Sequence, residues 1–236
     1  IIETANGCTP WVQHLLIGFG ILSIIFAAIF IQFQKDLKRL LAYHSVEHLG
    51  IITLGLGLGG LGAFAALFHT LNHSLCKSLS FFAAGRLGQT FGSYDMEKMA
   101  GSLRVSPVWG IGILGSILAL IGVAPFALFM SEFQLVKAAV DCGSVTALIL
   151  FLLGSGIVFV GALEHVIPLA WGKPEGGLQP VRFAILEMLV VGIPLLLLLM
   201  LGLWMPAPLY TMINKAAGII HAAIPAAGNS FSGFMP

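Results

Sequence analysis

Residues 68–82, FHTLNHSLCKSLSFF, decide how this chain folds. They lie inside an apolar run, 61–85, that is long enough to cross a bilayer, yet they place His69, His73 and Lys77 within it. The three residues are spaced four apart, so on an α-helix they stand nearly above one another, about 6 Å apart along the axis. A lysine at the centre of an apolar helix costs from ~2.5 to more than ~10 kcal/mol depending on the reference state, so it faces a bundle interior or a hydrated cavity. Histidine changes charge near neutral pH, and desolvation or neighbouring charge can bring a lysine toward the same range. A column of such groups with water between them reads as a proton wire. The plainer reading is that two imidazoles and a snorkelling lysine hydrogen-bond to neighbouring helices. That account suits one intramembrane histidine better than three titratable groups in register.

Composition agrees with a membrane setting. The 236 residues are 58% hydrophobic and 9% charged, with a mean hydropathy of +1.00, whereas soluble domains carry about 25% charged residues. A net charge of +1 leaves no basic stripe to neutralise a phosphate backbone, which argues against nucleic acid as a partner. Cys8, Cys76 and Cys142 are scattered without a CxxC, so neither a disulfide framework nor an iron–sulfur site is indicated. The sequence starts at Ile1 with no Met and no basic segment before a short apolar core, so it shows no signal peptide and reads as a fragment.

A span needs roughly 20 apolar residues. Outward from the opening stretch, such runs cover 11–33, 40–59, 61–85, 107–140, 145–171 and 181–204, which predicts an all-α integral membrane bundle of about six transmembrane helices. Residues 1–10 read as an N-terminal loop, and 205–236 as an interfacial helix with a frayed tail. The run 107–140 is too long for one plain span and barely enough for two. Pro125 sits in its middle, where its missing N–H and ring clash break the helical ladder. If this run crosses once, Lys35, Lys38, Arg39, Arg86, Lys98, Arg104, Lys173 and Arg182 share one side, against Lys137 and Lys215. If it crosses twice, Lys137 and Lys215 change places with Lys173 and Arg182. Both give eight against two, so the QKDLKR loop is cytoplasmic and the number of crossings stays open.

The second span adds AYHSVEHLG, in which His44, Glu47 and His48 fall at i, i+3 and i+4 on one face. HSVEH also matches the H-x-x-E-H zinc-peptidase pattern, but no third ligand is identified, although HTLNH offers two more imidazoles. GLGGLG, residues 57–62, fits G-x-G-x-x-G but ends a helix instead of following a strand, and no acid lies about 20 residues on. Those glycines suit close helix approach and a tight turn. Glu132 follows Pro125 closely, where a broken helix frees backbone groups and admits water. Lys137, Glu164, His165 and Glu187 are weaker candidates near span ends, and His14 suits an interface.

QKDLKRLLAYHSVEHLG, then FHTLNHSLCKSLSFFAAGRL, then the proline-interrupted APFALFMSEFQLVKAA resemble the antiporter-like subunits of respiratory complex I, group 4 [NiFe] hydrogenases and Mrp-type cation/proton antiporters. The YHSVEH and SEF variants are most similar to hydrogenase-4 component F, and the likeness runs from about Pro10 to Trp204. The resemblance implies that 107–140 is one broken crossing. It matches Lys77 to the family's central lysine, His69 and His73 to its paired histidines, and Glu132 to the acid or base of the discontinuous helix. It also implies a second inverted repeat with closing helices, the first repeat and its Glu and Lys being absent from these residues. The function implied is proton translocation within a redox-driven complex of the cell inner (cytoplasmic) membrane. No cofactor or metal is expected in this chain. NiFe and Fe–S centres would belong to partners, namely other membrane-arm subunits and a peripheral hydrogenase or oxidoreductase arm. His44, Glu47 and His48 are expected to tune the path. The alternatives are a complex I or Mrp-type subunit, an intramembrane zinc peptidase, and a structural membrane scaffold.

Overall fold

A computed structural model describes residues 10–174, 180–181 and 184–223; Cys8, Arg182 and the tail beyond 223 lie outside them. The described residues form helices without strands. In chain order these are α1 (Pro10–Ile31), α2 (Leu37–Leu58), α3 (Leu61–Phe91), α4 (Ser102–Val105), α5 (Pro107–Leu120), α6 (Ala127–Asp141), α7 (Val145–Trp171), α8 (Ile185–Leu203) and α9 (Ala207–Ala223). Helices α1, α7 and α8 are long and apolar enough to cross a membrane by composition alone. At 1.5 Å per residue, the 22 residues of α2 reach about 33 Å, also enough to span. Helices α2 and α3 are less apolar because they carry ring and charged groups, of which His44, Glu47, His48, His69 and Lys77 are buried.

Helix α3 is the central post, packing against α2, α5, α6, α8 and α9. Phe64, Phe68, Leu79, Ala83 and Leu87 on α3 join the main apolar core. A second cluster, including Ile24, Ile51, Leu54, Leu135 and Phe151, ties α1 and α2 to α6 and α7. Large apolar side chains cover the outside instead, for example Leu152 and Ile157 on α7 and Leu189 and Leu196 on α8. That inversion of a soluble surface is what lipid contact requires. The GLGGLG stretch joins two helices, with Gly59 and Gly60 at φ 66° and 48° making the turn from α2 into α3.

The run around Pro125 crosses once. Helix α5 ends at Leu120 and α6 begins at Ala127, leaving a non-helical break between them. At the start of the crossing, the N–H of Gly101 bonds to Pro168 O near the end of α7, and the N–H of Val181 bonds to Val105 O. At its far end the thiol of Cys142 reaches Leu58 O, where α2 finishes. Residues 107–140 therefore lead from one face to the other, and α7 returns to the first.

That first face gathers the basic loops. Asp36 caps α2 by accepting from the Arg39 N–H at 3.0 Å. The connector before it pairs with residues 94–96, through Leu37 N–H to Tyr94 O and Met96 N–H to Lys35 O, both at 2.9 Å. Lys38 lies over the Tyr94 ring at 3.6 Å.

The two largest boundary differences from the sequence reading are at α3 and α8. Helix α3 continues past Gly85 to Phe91, because Leu87 and Gly88 still have a buried face to fill and Arg86 is held by Glu187 at 2.6 Å and Gln89 at 3.0 Å. Helix α8 starts at Ile185, not 181, with the Glu187 carboxylate accepting from the Ala184 N–H at 3.2 Å. Helix α9 buries Ile213 and Ala217 and sets Tyr210 against Phe64, with ring centroids 5.4 Å apart, while Met212 and Ile219 are exposed.

Candidate functional site

Three helices bring the polar groups together inside the bundle. Helix α2 supplies His44, Glu47 and His48, which its 3.6-residue period puts on the one face turned inward, and all three are buried. Helix α3 supplies His69 and Lys77, both buried, and His73, which is half-buried. Helix α6 supplies Ser131, buried, and Glu132 just beyond the break.

The contacts form a ladder. Nδ1 of His48 lies 2.8 Å from Nε2 of His69, and Nδ1 of His69 lies 2.8 Å from Oγ of Ser131. The His48 ring sits 4.9 Å from that of His73 and 6.3 Å from that of His44. Nδ1 of His44 is 3.2 Å from a Glu47 carboxylate oxygen. The Lys77 ammonium donates to Leu41 O at 2.5 Å, one turn before His44. Nε2 of His44, of His48 and of His73 are buried with no hydrogen-bond partner among the described residues. Buried ring nitrogens of this kind call for water, which would join the rungs.

The break in the crossing positions Glu132. Gly122 adopts φ 69°, and a Cβ there would collide with Oε2 of Glu132, so the carboxylate rests against the bare backbone of the break. From α3, Nδ2 of Asn72 donates to Ala127 O at 3.2 Å and holds the start of α6. Asn72 and Ser131 were missed in the sequence. Asn72 had a signal, since it stands three residues after His69 on the same inward face.

Ligand atoms also converge. Those of His44, Glu47 and His48 lie within 4.8 Å of one another, and so do those of His48, His69 and Glu132. The two sets share only His48: the α2–α3 hairpin sets His69 against His48, while His44 stays with Glu47. The weaker candidates lie elsewhere. Lys137 pairs with Asp141 at 2.8 Å, and Glu164 is exposed. His165 places Nε2 3.0 Å from Ile31 O, within electrostatic range of His44. Glu187 is taken by Arg86, and His14 is exposed.

A multi-pass helical bundle with titratable groups stacked in its core and a helix broken beside a carboxylate is the architecture of an ion-handling membrane subunit. The chain belongs to the family described as NADH:quinone oxidoreductase/Mrp antiporter, transmembrane, which matches residues 2–158. It is 36% identical over 190 residues to a hydrogenase-4 component F homolog of Methylacidiphilum infernorum (isolate V4), aligning 80% of this chain with 40% of that protein. It is 31% identical over 179 residues to formate hydrogenlyase subunit 3 of Escherichia coli (strain K12), aligning 69% of this chain with 29% of that protein. Among solved structures it resembles a chain of the membrane-bound sulfane sulfur reductase, an archaeal respiratory membrane complex. That match has 28% identity and a TM-score of 0.80, over 88% of this chain and 42% of the other. The chain thus spans less than half the length of these relatives.

Proposed function

We propose that this chain forms part of a proton-translocating membrane subunit of a redox-driven complex, of the hydrogenase-4 and formate hydrogenlyase type, in the cell inner membrane. One observation carries the reading: an unbroken series of close contacts from His48 through His69 to Ser131, in the same cluster as buried Lys77 and half-buried Glu132. Each group can hold or pass a proton, and a charge change at one alters the proton affinity of its neighbours in a medium of low dielectric. In this reading Lys77 is the central proton store, and the imidazoles relay. His44, Glu47 and His48 tune the path from α2, and Glu132 exchanges with water at the helix break. Redox chemistry belongs to partner subunits of a peripheral arm, which would carry the NiFe and Fe–S centres. Assignment to a complex I or Mrp-type assembly is the alternative within the same family.

The test is proton uptake by sealed vesicles containing the assembled complex. Lys77→Ala should lower uptake at least ~100-fold, the low end of what a positioned proton-transfer group contributes, with the subunit still inserted. Near wild-type uptake would contradict the proposal and favour a scaffold. A second reading, metal binding, is favoured by the convergence of His48, His69 and Glu132 within 4.8 Å.

A further inference from the structure

The hydrogen bonds around Ser131 bear on which nitrogen of His48 and of His69 carries its proton. The Ser131 hydroxyl lies 2.8 Å from Leu128 O, a group that only accepts, so the single hydroxyl hydrogen points there. The oxygen must then accept from His69, whose Nδ1 is 2.8 Å away, and neutral His69 therefore keeps a bare Nε2. That nitrogen accepts from His48, whose Nδ1 is 2.8 Å away and thus carries the hydrogen. Neutral His48 is left with a bare Nε2, buried and without a partner among the described residues. Three bonds on three helices point one way, and the open acceptor is at the α2 end.

We propose that Ser131 is a relay residue that sets this polarity, so that a proton taken up at His48 Nε2 is delivered through His69 to the Glu132 side of α6. The bookkeeping closes at one proton in and one out. Nε2 of His48 gains a hydrogen while its Nδ1 hydrogen passes to Nε2 of His69. The Nδ1 hydrogen of His69 passes to Ser131 Oγ. Ser131 then releases its original hydroxyl hydrogen, turned away from Leu128 O, to the Glu132 carboxylate directly or through a water. A carboxylate oxygen of Glu132 lies within 4.8 Å of ring nitrogens of both histidines, which places the acceptor at hand. Ring and hydroxyl rotation then reset the relay. Because Asn72 fixes the start of α6 through Ala127 O, Ser131 is held in register with His69.

The inference rests on the proton-path reading, and the test separates the two. In the assembled complex, Ser131→Ala should reduce proton uptake roughly 10-fold or more, and Ser131→Thr, which keeps the hydroxyl, should restore it. If Lys77→Ala stops uptake while Ser131→Ala leaves it intact, the relay is wrong and the path reading survives. If Lys77→Ala pumps normally, the path reading itself fails. Should Ser131→Ala not assemble, solid-state NMR of isotope-labelled histidine in the wild-type complex decides. The proposal requires the hydrogen of neutral His69 on Nδ1, and finding it on Nε2 would overturn it.

Discussion

At the scale of single residues, the spacing of His69, His73 and Lys77, and of His44, Glu47 and His48, was enough to mark two polar helix faces, because the helical period is a local property. Which rung meets which was not legible. The pairing of His48 with His69 depends on the register of α2 against α3, and the role of Ser131 on a third helix, so neither leaves a mark in a window of sequence. The same holds for the metal question that HSVEH raises. The fold brings His69 and Glu132 to His48 alone, and it joins Nδ1 of His48 to Nε2 of His69 by a hydrogen bond, 2.8 Å apart. A metal would have to displace that hydrogen and place two positive charges near Lys77. Purified complex exposed to zinc and then desalted should therefore retain no stoichiometric metal at this site. Bound zinc that disappears in His48→Ala would instead establish the metal reading.

At the scale of elements, Pro125 correctly marked a break, since proline removes a donor and disrupts the ladder wherever it falls mid-helix. The charge count could not say whether the two halves cross once or twice. The contacts of Gly101 with Pro168 and of Cys142 with Leu58 do, because they tie the ends of the run to opposite faces. The apolar run stops at Gly85 in sequence because Arg86 and Gln89 are polar, whereas their neighbours Leu87 and Gly88 still pack inward and carry α3 on to Phe91. The break itself carries a prediction. Protein carbonyls take up the N–H groups of Gly122, Val123 and Phe126 at the break, and in the proposed path the Glu132 carboxylate beside it exchanges protons with water. Glu132→Gln, close in shape but unable to ionise, should impair proton uptake nearly as much as Glu132→Ala, with both variants assembling. Full uptake in Gln together with failed assembly in Ala would make the residue a structural hydrogen-bonding group.

At the scale of the whole molecule, the fold is a post of polar-faced helices, α2 and α3, enclosed by α1, α5, α6, α7 and α8, with apolar side chains turned outward. Composition alone pointed to this class, because burying ring and charged groups while exposing leucines is a stable arrangement only in lipid. The family match extends over residues 2–158, and the chain spans 40% of its hydrogenase-4 component F homolog, so the proposed proton translocation is to be measured in the assembled complex. The most direct measurement is infrared difference spectroscopy of that complex during turnover. The account predicts a carboxyl stretching band that appears and decays with turnover, shifts in heavy water, and is missing in Glu132→Gln. A wild-type complex that translocates protons while showing no carboxyl band assignable to Glu132 would contradict it.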